Sequence, residues 1–165
     1  MSHLIDEILV AEDVLEMLAR WSDAALPNET GGILLGVLSD GRRWITTARE
    51  VQSTVSSRSR YEIPVGVTNA LALDARRSDG RLGYLGDWHS HPTDAAPSST
   101  DLGTYLRLLR LAFRRHQTAP VLVVLRRGQD GWRLHASSGT LALSTRQLSV
   151  TITGALPSAQ EEIAG

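Results

Sequence analysis

Apolar positions along this chain recur in two rhythms. Over residues 11–24 (A-E-D-V-L-E-M-L-A-R-W-S-D-A), Val14, Leu15, Leu18 and Trp21 fall at helical spacing, which predicts an amphipathic helix ending near Pro27. Residues 31–38 (G-G-I-L-L-G-V-L) are a short apolar run and 43–51 (R-W-I-T-T-A-R-E-V) alternate; with S-D-G between them they predict a β-hairpin. The polar, Ser/Arg-rich stretch 52–60 predicts a mobile loop, and Pro64 suits the first turn of a second helix over about 64–77. After an S-D-G-R turn comes a strand over 82–90, then a third helix over about 99–116. That helix is expected to bury Leu102, Leu106, Leu109 and Phe113 and to turn Arg107, Arg110, Arg114 and Arg115 to solvent. A buried strand at 120–127, a G-Q-D-G turn into W-R-L-H-A, and a last strand over 147–153 complete the pattern.

Strands and helices interleave, so the expected class is mixed α/β. No repeat or linker divides the chain. Residues 1–154 read as a single domain and 155–165 as a flexible C-terminal tail.

Composition removes several function classes. The 165 residues carry a net charge of −1, so no global basic field attracts nucleic acid. No run of 18 apolar residues predicts a membrane span, and the N-terminus lacks the features of a secretory signal; the expected location is cytoplasmic. Cysteine is absent, which excludes disulfides, thiolate catalysis and Cys-based metal sites. Any metal here needs His, Asp or Glu. Lysine is absent too, and all 17 basic residues are arginine. Arg58, Arg60, Arg76, Arg77 and Arg81 fall on segments flanking the 82–90 strand, where they read as a basic rim or as solvated surface.

The candidate chemistry lies in residues 86–101, G-D-W-H-S-H-P-T-D-A-A-P-S-S-T-D. His89 and His91 are two apart, and on a strand such residues share a face. Asp101 follows at the start of the third helix, after a turn bracketed by Pro92 and Pro97. Two histidines and a carboxylate leave a fourth tetrahedral position open, as in catalytic zinc sites. The same residues also read as a helix cap, with Ser98 or Ser99 at the N-cap and an acid following, and the two readings are compatible. Asp87, on the face of His89, and Asp94, in the turn, are competing carboxylates. Upstream, P-N-E-T-G-G-I-L-L-G places Glu29 just before a strand that opens with Gly31 and Gly32. Those glycines permit close backbone approach or positive φ. Glu29 is a candidate general base or a solvated loop residue.

Together, E-T-G-G-I-L-L-G, G-D-W-H-S-H-P and P-S-S-T-D resemble the JAMM (MPN+) metalloproteases, most strongly their short prokaryotic branch. The resemblance spans roughly residues 5–152 in element order and is tight in these motifs. It implies a cytidine-deaminase-like MPN domain, a curved mixed β-sheet flanked by helices. Carried over position by position, it implies Zn2+ held by His89, His91 and Asp101, Glu29 as general base, and Ser98 as donor to the oxyanion. The family usually has seven residues between the second His and the Ser. Here there are six, Pro92 to Pro97. Counting seven selects Ser99, whereas keeping Ser-x-x-Asp selects Ser98.

The implied activity is hydrolysis of a peptide or isopeptide bond at the C-terminus of a ubiquitin-like protein, in maturation or deconjugation. An antiviral conjugation pathway is one setting, with E1-like and E2-like enzymes as further partners. Release of a sulfur-carrier protein in cofactor or cysteine biosynthesis is a second, and a non-catalytic interaction scaffold a third. All five residues are present, which weighs toward an active enzyme.

Overall fold

The protein is described by a computed structural model over residues 6–115 and 117–157. Among the described residues, eight strands and three helices follow in the order β1 (Glu7–Ala11), α1 (Glu12–Ala25), β2 (Gly31–Ser39), β3 (Arg42–Glu50), α2 (Val67–Ser78), β4 (Gly83–His91), α3 (Ser99–Arg114), β5 (Val121–Gly128), β6 (Gly131–Gly139), β7 (Thr145–Gln147) and β8 (Ser149–Thr153). The strands form one mixed sheet in the order β7-β6-β5-β4-β2-β3-β1-β8. β7 and β8 are consecutive, separated only by buried Leu148, yet one pairs with β6 at one edge and the other with β1 at the opposite edge. A single stretch of chain therefore spans both edges and curls the sheet almost into a barrel, leaving little edge unpaired.

Most of the expected elements form. The 31–39/42–50 hairpin turns at Asp40 and Gly41, both with positive φ, the conformation a tight two-residue connection needs. α1 buries Val14 and Leu18, and Trp21 stacks on Trp88 of β4 with ring centroids 5.8 Å apart. The largest core cluster joins α1 to one face of the sheet, including Leu34, Ile45, Val121 and Val123. α2 and α3 cover the other face. Ala75 packs on Ile33 and Leu35, and Tyr105 and Leu109 pack on Leu122 and Val124.

Several details differ from expectation. β1 runs into α1 without a loop, Ala11 serving as the helix N-cap with no side-chain bond. α2 begins at Val67 rather than at Pro64: Gly66, at φ 87°, stands outside the helix, and Pro64 accepts the Val67 amide in the preceding turn. Among the α3 positions, Tyr105 rather than Leu102 is fully buried. Of the tail, only 155–157 falls among the described residues.

Candidate metal centre

The site forms where β4 ends and α3 begins. β4 and β5 are parallel neighbours joined through α3, an arrangement in which ligands bind beyond the carboxyl ends of the strands. Trp88 and Ser90 point to one face of β4, while His89 and His91 share the other. Their Nε2 atoms approach to 3.1 Å. His91 Nδ1 donates to the Ala95 carbonyl at 2.8 Å, which fixes the tautomer and leaves Nε2 with its lone pair toward the cluster.

Asp101 arrives from the first turn of α3. Ser98 is the N-cap: its Oγ accepts the Asp101 amide at 3.1 Å, and the Ser98 amide donates to Asp101 Oδ2 at 2.6 Å, a complete capping box. The cap and the cluster use one carboxylate. Asp101 Oδ1 lies 3.5 Å from His89 Nε2 and Oδ2 lies 3.4 Å from His91 Nε2. Two donors, each about 2.0–2.1 Å from a tetrahedral cation, stand about 3.3–3.4 Å apart. The three observed separations bracket that spacing, and two imidazole lone pairs at 3.1 Å need a cation or a proton between them. The donor set therefore fits a metal ion, and His89, His91 and Asp101 form the group that would hold it.

Glu29 reaches the cluster through strand register. β2 and β4 pair antiparallel with Gly31 opposite His89, and the pairing continues beyond β2: Ser90 N donates to Thr30 O at 2.8 Å and Thr30 N to Ser90 Oγ at 3.0 Å. One more step sets Glu29 opposite His91, with Oε1 3.8 Å from His91 Nε2. Glu29 is thus close to the cluster but outside its three-residue group. Gly31 serves close approach rather than positive φ: a Cβ there would lie 2.4 Å from the Trp88 carbonyl oxygen.

Two contacts at this end of the sheet carry no sequence signal. The Glu29 amide donates to Ser57 O at 2.7 Å, and Ser56 Oγ donates to Glu29 O at 2.6 Å. The 52–60 segment, expected as a mobile loop, clamps the Glu29 backbone.

The electrostatics follow from this packing. Burial pushes the Glu29 carboxyl up to about 7; His91 pulls it back and Asp101 adds to the rise. Burial also works against ionised Asp101, yet bonds from His89 and His91 hold it well below the usual carboxylate range. His91 is raised: burial opposes its charge, but Asp101 and the Ala95 carbonyl outweigh that. In the absence of a cation, the cluster strengthens its hold on a proton.

The competing carboxylates fall elsewhere. Asp94 is exposed and pairs with Arg126 at 3.1 Å. Asp87 accepts from Tyr84 Oη at 2.9 Å in an adjoining cavity. Of the rim arginines, Arg60 pairs with Glu62 and Arg81 with Asp79, each at 2.7 Å, while Arg58, Arg76 and Arg77 are exposed.

A curved mixed sheet with helices on both faces and a His-His-Asp group at the end of a central strand are the features of a JAB/MPN-type fold. Residues 11–135 match the family of prokaryotic homologs of the JAB domain, and the chain belongs to that family. It is 32% identical over 140 residues, 80% of either chain, to a probable metalloprotease, y4qB, of Sinorhizobium fredii. It is 35% identical over 103 residues, 59% of this chain and 61% of the other, to a CD-NTase/cGAS isopeptidase of Pseudomonas aeruginosa. The solution structure of protein DSY2949 from Desulfitobacterium hafniense shares the fold, with a TM-score of 0.67 at 22% identity over 90% of this chain and 94% of that one. The named relatives support peptidase or isopeptidase activity of JAB type. No described helix is long and apolar enough to cross a membrane.

Proposed function

We propose that this protein is a zinc-dependent peptidase or isopeptidase that cleaves at the C-terminus of a ubiquitin-like protein. The observation that carries this reading is the convergence of His89, His91 and Asp101 with Glu29 held 3.8 Å from His91. Two imidazoles and a carboxylate suit zinc and leave a coordination position open. The cation would supply Lewis acidity, acidifying water and polarising the scissile carbonyl.

The chain's residues do the remainder. Glu29, buried and backbone-clamped, takes the proton of the attacking water and returns it to the leaving amine. The Ser98 hydroxyl accepts the Asp101 amide with its oxygen, so its proton remains to be donated to the oxyanion. The His91 Nδ1–Ala95 bond and the capping box hold the donor atoms in place before substrate arrives.

The ubiquitin-like substrate and an antiviral conjugation setting are supported by the likeness to a protein named CD-NTase/cGAS isopeptidase. On that reading, E1-like and E2-like enzymes supply the conjugates, and the enzyme works in the cytoplasm. The test uses zinc-loaded protein and the ubiquitin-like protein of its own gene neighbourhood, fused at its C-terminus to a reporter. Release of the reporter, lost with a chelator and restored by zinc, is expected. Release that is indifferent to the chelator overturns the zinc mechanism.

A further inference from the structure

All three tyrosines of the chain line one cavity. It has a volume of about 290 Å³, and His89 and Asp101 form part of its wall, so it opens directly onto the metal centre. Its deeper wall holds Tyr61, Tyr84 and Tyr105, and its exposed rim holds Arg60, Glu62 and Arg107. Asp87 sits among the tyrosines. It is two residues before His89 on β4 and so shares its face.

Several polar side chains of this cavity already have partners. Tyr61 Oη donates to Val51 O at 2.6 Å, Tyr105 Oη to Pro120 O at 2.6 Å, and Tyr84 Oη to Asp87 Oδ1 at 2.9 Å. Arg60 is turned to Glu62 at 2.7 Å and Arg107 to Thr104 Oγ1 at 3.1 Å. Asp87 alone keeps a carboxylate with no cationic partner among the described residues; one phenol hydroxyl is its only side-chain bond there. A group filling the cavity strips the remaining water from that carboxylate. An apolar group would leave it desolvated and an acidic group would repel it. A basic side chain compensates it through a charge-assisted hydrogen bond, with aromatic faces around its stem and head.

Position assigns the side of the bond. Glu29, which must reach the leaving amine, stands against His91 and is not part of the cavity wall; the cavity lies on the His89/Asp101 flank. We propose that this cavity is a subsite for a basic side chain of the substrate, on the acyl side of the cleaved bond, with Asp87 as its specificity-determining residue. The proposal rests on the hydrolase reading above.

The test offers zinc-loaded protein a mixture of peptides from a chymotryptic digest and reads the cut sites by mass spectrometry. Arg and Lys are expected to be enriched at one position on the acyl side, with kcat/KM about tenfold or more above the norleucine equivalent in matched peptides. Asp87→Asn, which keeps the acceptor for Tyr84, collapses that ratio towards unity, and Asp87→Arg shifts preference to Asp and Glu. Zinc content of each variant reports whether the fold is intact. Cleavage without basic preference, or with a preference that Asp87→Asn leaves unchanged, overturns the subsite. If no peptide is cut, it is the hydrolase reading on peptides that fails. The subsite is then judged by agmatine binding to the zinc-loaded protein by NMR: millimolar binding with shifts confined to the cavity, absent in Asp87→Asn, supports it, and no binding overturns it.

Discussion

Thr30 and Ser90, sixty residues apart, are joined by reciprocal hydrogen bonds: the Thr30 amide donates to Ser90 Oγ at 3.0 Å, and the Ser90 amide to the Thr30 carbonyl at 2.8 Å. These bonds prolong the β2–β4 ladder and bring Glu29 abreast of His91. Ser90 is fully buried between the two histidines. Ser90→Ala leaves the Thr30 amide without its side-chain acceptor, a loss of about 1–3 kcal/mol. Urea unfolding is expected to show that loss. Zinc stoichiometry should hold, because neither histidine is altered, while kcat falls more than KM changes as Glu29 loses its register. A variant with wild-type stability and kcat would show that the Thr30–Ser90 bonds do not position the base.

Glu29→Gln is nearly isosteric and removes the ability to take a proton. Zinc binding is expected to persist and cleavage to vanish; cleavage at the wild-type rate would exclude Glu29 as the base. The same variant makes a second expectation for metal-free protein. The Glu29 carboxyl is pushed up to about 7 when folded, from 4.5. A carboxyl raised by folding contributes stability that is complete below its unfolded value and lost as pH rises through its folded value. Metal-free wild type should therefore lose stability relative to Glu29→Gln between about pH 4.5 and 7. Denaturant midpoints of both proteins at several pH values, in chelator, measure the difference.

Where local pattern and tertiary demand agree, the sequence is easily read. The hairpin of β2 and β3 carries its turn in Asp40 and Gly41, and H-x-H on an apolar strand already points two imidazoles to one side. β1 is harder: E-I-L-V-A merges with the helical pattern of α1, and its partners, β3 and β8, are distant in sequence. Tyr105 is buried because β5 and the Pro120 carbonyl lie against it, which helical spacing alone does not express. The clamp of Ser56 and Ser57 on Glu29 is hidden for a related reason: a short polar stretch rich in Ser reads as solvated loop, and only the folded chain supplies the backbone groups it bonds. The stretches that carry the JAMM resemblance lie far apart in sequence, and strand register brings Glu29 beside His89, His91 and Asp101.

Ser98 and Ser99 separate cleanly by experiment. Ser98 Oγ is the N-cap acceptor for Asp101, while Ser99 opens the first turn of α3. Ser98→Ala should cost about 1 kcal/mol of stability through the lost cap. If the Ser98 hydroxyl also serves the oxyanion, cleavage falls by about 100- to 1,000-fold, far more than the cap alone explains. Ser99→Ala should change neither by much. A large loss of cleavage in Ser99→Ala with little in Ser98→Ala would move the oxyanion role to Ser99, the count of seven. Thermal unfolding and kcat on the same pair of variants decide it.

The metal centre should stabilise the fold without being required to form it. Its donors sit at one end of the sheet, whereas the three apolar clusters that join the helices to the sheet contain none of them. A ligand that binds only the folded state adds RT ln(1 + [L]/Kd), about 4 kcal/mol at a thousandfold excess over Kd. Chelation is therefore expected to lower the unfolding temperature while far-ultraviolet dichroism stays native at 25 °C. His89→Ala should unfold at the chelated value whether or not zinc is added, since one of three donors is gone and the remaining pair holds the ion weakly. His91→Ala should fall further, because it also releases the Ala95 carbonyl and with it the turn leading to α3. Zinc titrations followed by calorimetry, run on both variants beside wild type, read each outcome; a His89→Ala protein that still gains stability from stoichiometric zinc would remove His89 from the ligand set.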